Sequence, residues 1–65
     1  MNILNELKLR PSYAHGYRYL GQVYALRGQR EKALENLQKA EAMYREMGMD
    51  YYLRRTQEDI AKLQS

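Results

Sequence analysis

The sequence predicts an all-α fold of short antiparallel helices, and three observations carry that expectation. Apolar and aromatic residues recur at steps of three and four through three successive stretches. The gaps between those stretches hold glycine or proline, the residues that end helices. No run alternates apolar with polar in the way a half-buried strand requires, and Val, Ile and Thr are few and scattered.

Taken in order, Ile3, Leu4 and Leu7 make a short apolar piece, read as a stub helix over 2–9. Pro11-Ser12 then opens a helix over 12–27, because proline is excluded from helix interiors and serine can cap. Tyr13, Tyr17, Leu20 and Tyr24 form its stripe. Gly28 follows as a left-handed C-terminal cap. Ala33, Leu37, Ala40, Tyr44 and Met47 are the stripe of a helix over 30–47, ended by Gly48. Asp50 is the expected N-cap of a last helix over 50–63, with the stripe Met49, Leu53, Thr56, Ile60 and Leu63. Connections this short force neighbouring helices to run antiparallel.

Sixty-five residues bound the chain to one module over 1–65. Burial of roughly 7,000 Å², a little over half of it apolar, contributes ~97 kcal/mol, and ordering the chain costs ~97 kcal/mol. With no cysteine for disulfides and no Cys/His set for a structural metal, association is the expected route to stability. The Met1–Lys8 stretch has neither a basic start nor a long apolar run, so no signal peptide or membrane span is expected there, and a cytoplasmic location is. A net charge of +3 is too small for a nucleic-acid arm.

Within the first helix, Tyr17 is followed by Leu20-Gly21 and then Tyr24, and the second helix answers with Ala33, Leu37 and Ala40. Pro11 stands where the proline of a preceding unit would lie. This register resembles the tetratricopeptide repeat, a helix–turn–helix unit of about 34 residues. There is no proline near Met47, and the motif half-returns at Ile60-Ala61. The chain thus reads as one unit with a half-unit on each side. The resemblance implies a protein–protein interaction module whose concave groove is lined by one face of each first helix. On this chain that face is His15, Arg18, Gln22, Ala25 and Leu26. Arg18 and Gln22, one turn apart, could hold a carboxylate or backbone amide of a partner.

Gly21 costs about 1 kcal/mol relative to alanine in a helix interior, and close approach of the second helix at Ala33 and Ala40 is the expected return. Gly16 and Gly21 have the spacing of a phosphate loop, but Gln22-Val23 follows where Lys and Ser/Thr belong, and no strand precedes. His15 is the sole histidine, with no nucleophile motif beside it; we expect no enzyme, no cofactor and no metal. The carboxylates read as helix-surface pairs: Glu35–Lys39, Glu41–Arg45, Arg54–Glu58 and Arg55–Asp59. Met43, Met47, Met49, Tyr51, Tyr52 and Leu53 gather around Gly48 as an apolar patch suited to self-association, predicting a homodimer. Two alternatives stay open. Seven tyrosines could stack on single-stranded nucleic acid, or the chain could be a piece of a longer repeat array.

Overall fold

The computed structural model describes residues 11–64. They form three helices, α1 Pro11–Leu26, α2 Arg30–Met47 and α3 Asp50–Gln64, with no strand among them. The expected stub over 2–9 lies outside the described residues.

Both turns are built alike. Gly28 and Gly48 have φ of 77° and 68°, a backbone conformation that only glycine adopts without steric cost. In the first turn the Gly28 N–H donates to the Ala25 carbonyl and the Gln29 N–H to that of Tyr24. In the second the Gly48 N–H donates to Arg45 and the Met49 N–H to Tyr44. These are the paired bonds of a Schellman motif, which satisfy carbonyls left open at a helix end. The residue after each glycine then starts the next helix: the Gln29 carbonyl accepts from Ala33 and the Met49 carbonyl from Leu53. Met49 rather than Asp50 therefore holds the N-cap position of α3, and Asp50 is its first residue, where its charge suits the helix dipole. Ser12 likewise lies inside α1 rather than before it.

α1 and α2 pack along their length, and α3 lies chiefly against α2. The α2 stripe is as expected, with Ala33, Leu37, Ala40 and Tyr44 all buried and Met47 half-buried. The α1 stripe is rotated from expectation. Its buried residues are Ala14 and Gly21, while Tyr13 and Leu20 are 44% and 43% exposed. The helices come so close that only small side chains fit between them. A Cβ added at Gly21 would stand 2.5 Å from Leu37 Cγ and 3.1 Å from the Ala33 carbonyl oxygen.

α3 turns Thr56 fully inward, flanked by half-buried Tyr52, Leu53, Ile60 and Leu63. The buried hydroxyl is satisfied within its own helix, Thr56 Oγ1 donating to the Tyr52 carbonyl at 2.8 Å. The Met43 to Leu53 cluster is mostly packed inside. Met43 is buried, Met47, Met49, Tyr52 and Leu53 rest against the core, and Tyr51 alone is widely exposed. Of those six residues, Tyr51 offers the widest exposed surface and Met43 almost none.

Candidate functional site

The side of α1 that faces α3 carries all five residues expected to meet a partner. His15, Arg18, Gln22, Ala25 and Leu26 follow one another at helical spacing, so one flank of α1 presents them in a row. Their surroundings differ along that row, from an aromatic cluster at one end to an open cleft at the other.

At the α1 N-terminal end, His15 Nδ1 is hydrogen-bonded to the Tyr44 hydroxyl. The His15 ring also meets the edge of Tyr52 at 4.7 Å, and Tyr52 stacks on Tyr44 at 5.5 Å between centroids. Offset and edge contacts of this kind align the positive edge of one ring with the negative face of another. Burial pushes the Tyr44 phenol above its ordinary pKa; the Arg18 charge opposes that shift and Tyr52 adds to it. Three helices thus meet on one buried tyrosine.

In the middle, Arg18 Nε donates to Asp59 Oδ2 at 3.0 Å and Gln22 Nε2 donates to the same oxygen at 3.4 Å. The two α1 donors expected to grip a carboxylate do hold one, and it comes from α3 of the same chain. Helical spacing alone pairs Asp59 with Arg55, four residues before it. Arg55 instead lies over the Tyr51 ring, 5.9 Å from its centroid. The signal for Asp59 was its place beside Thr56, Ile60 and Leu63. A carboxylate on an inward-facing stripe needs a cation across the interface, because an unpaired charge there is costly to desolvate.

Toward the far end, α1 and α3 line an open cleft of about 420 Å³. Ala25, Leu26, Leu37 and Leu63 give it apolar walls, and Gln22, Asp59 and Lys62 supply the polar rim. Leu26 is 89% exposed, an apolar side chain on the rim with no cover of its own. The structure therefore joins Arg18, Gln22, Ala25 and Leu26 to Asp59, Leu37, Lys62 and Leu63, the last four absent from the sequence-based set. His15 belongs to the aromatic cluster instead.

Among the described residues no group of three His, Asp or Glu side chains is disposed to hold a metal ion. None of their helices is long and apolar enough to cross a membrane. No family model, curated protein or solved structure matches the chain.

Proposed function

We propose that the chain is a protein–protein interaction module of the tetratricopeptide-repeat type, which holds a peptide or protein segment in the cleft between α1 and α3. One observation carries this reading: the α1–α3 cleft combines an apolar floor, an exposed Leu26 and a rim of Gln22, Asp59 and Lys62. Binding sites generally combine an apolar concavity with a few polar groups that set orientation. The Leu-Gly register in α1, with Ala33, Leu37 and Ala40 opposite, supports the repeat assignment. A photo-crosslinking residue placed at position 26 tests the proposal. A partner captured there, absent when the same group stands at Gln38 on the outer face of α2, supports it. Loss of capture at position 26 when Ala25→Asp is added to the cleft wall is the expected control, and equal capture at both positions would refute the cleft as the site.

Self-association is a second reading, on a surface other than the one the sequence suggested. Along α1, Tyr13, Tyr19 and Leu20 are exposed around a depression of about 360 Å³ that includes Gly16 and Tyr17. Contiguous apolar surface of this kind marks contact sites. Light scattering of the wild type and of Leu20→Glu across concentration decides the matter, and a monomer throughout rejects it.

A further inference from the structure

We infer that Asp59 is an internal stand-in for a partner's carboxylate, so that the cleft takes a segment bearing an acidic side chain beside an apolar one only by exchange with Asp59. This rests on the cleft being the partner site. The geometry at Arg18 supports exchange. The ion pair is made through Nε alone, and both α1 donors converge on Oδ2 of Asp59. A guanidinium and a carboxylate engage most strongly as a bidentate fork, with two parallel N–H to oxygen bonds. Here the contact runs through Nε of Arg18 and Oδ2 of Asp59 and is not such a fork. An incoming carboxylate can therefore offer Arg18 a second bond that Asp59 does not.

Access is the second requirement. The Arg18 and Asp59 side chains keep 19% and 20% of their surface exposed, enough to admit a competitor and too little for the pair to be a free surface contact. Asp59 and Gln22 also line the cleft itself, so the exchange site is continuous with the apolar floor of Ala25, Leu37 and Leu63. An acidic residue placed at Arg18 would set a neighbouring apolar residue over that floor. α3 rests mainly on α2 and touches α1 sparsely, so releasing Asp59 need not release the helix.

Removing the stand-in should raise apparent affinity by the inverse of the fraction of molecules with Arg18 available. A partly exposed ion pair is worth up to about 1 kcal/mol, which corresponds to a gain of about fivefold. The probe is the synthetic peptide Ac-Ala-Leu-Asp-Leu-Ala-NH₂, titrated while the Arg18 Nε–H and Gln22 side-chain amide resonances are followed by NMR. Asp59→Ala is expected to bind it about fivefold more tightly than the wild type, and the gain should vanish in Arg18→Gln/Asp59→Ala. The same peptide with Asn in place of Asp should show no gain. Equal affinity of wild type and Asp59→Ala, a gain shared by the Asn peptide, or no binding to either protein would each overturn the inference. Circular dichroism checks helicity, and Asp59→Asn, which keeps the side-chain shape, replaces Asp59→Ala if the latter loses helix. Crosslinking at position 26 without the peptide gain would sink this inference alone; the peptide gain without any crosslinked partner would sink the partner reading alone.

Discussion

The two seams of this small protein are built on different principles. Between α1 and α2 the contact is one of shape: Ala14 and Gly21 on one helix meet Ala33, Leu37 and Ala40 on the other, with no room for a larger side chain at Gly21. The seat of α3 is one of chemistry. It consists of stacked Tyr44 and Tyr52, the His15 ring, the Thr56 hydroxyl turned back on its own helix, and Asp59 held by Arg18 and Gln22. A seam of shape resists substitution in either direction of size. A seam of polar and aromatic contacts has partners that can be exchanged, and the open cleft lies beside that second seam.

The largest expected effect comes from the residue both seams share. Tyr44 is fully buried, bonded to His15 of α1 and stacked on Tyr52 of α3. Tyr44→Ala should cost about 3–5 kcal/mol, in the range of buried aromatic truncations. In a chain whose burial and ordering terms nearly cancel, that unfolds both seams together, as a urea titration followed by circular dichroism would show. Persistence of an intact α1–α2 pair with α3 alone released would mean that the seams are independent.

The next test separates two glycines of one helix. At Gly21 an added methyl would meet the branch point of Leu37 and the Ala33 backbone, so overpacking of roughly 1–3 kcal/mol opposes the helix-propensity gain of about 1 kcal/mol. Gly21→Ala should therefore lower stability, by up to about 2 kcal/mol. Gly16 has no neighbour within 4 Å of such a methyl, and Gly16→Ala should raise stability by about 1 kcal/mol. The paired variants are compared by thermal melting, and shifts of the same sign would reject close packing as the distinction between them.

The smallest effect is alkaline. The Tyr44 phenol is pushed up by burial, so the folded state holds its proton at pH values where the unfolded chain has released it. That contribution is complete below the ordinary tyrosine value of about 10 and is lost as pH rises through the higher folded value. Stability of the wild type should thus fall more steeply than that of Tyr44→Phe on raising the pH beyond 10, measured by urea midpoints. Identical slopes would mean that Tyr44 ionises like an exposed tyrosine.

Much of the fold was legible because its signals are local. Gly28 and Gly48 mark both turns through a positive φ, and each turn is closed by bonds within six residues. The α2 stripe was legible because its apolar residues face a single direction. α1 was harder to orient, since tyrosines lie on one flank and small residues on another. Periodicity favours the large apolar residues, whereas close packing chose Ala14 and Gly21. Spacing alone leaves the Met43 to Leu53 cluster without a cover, part of which comes from Ala14 and Tyr17 on α1. Arg18 and Gln22 were recognised as a carboxylate grip, but their carboxylate stands about forty residues away at Asp59.

By itself, then, the sequence determined three helices, two glycine turns and the need for a glycine where α1 and α2 cross. These follow from backbone sterics and from spacing within a helix, which neighbouring residues decide alone. Only the tertiary structure decided which flank of α1 is buried, which carboxylate Arg18 holds and where the cleft opens. Those depend on how three cylinders of given side-chain volume fit together, a condition that no single helix contains.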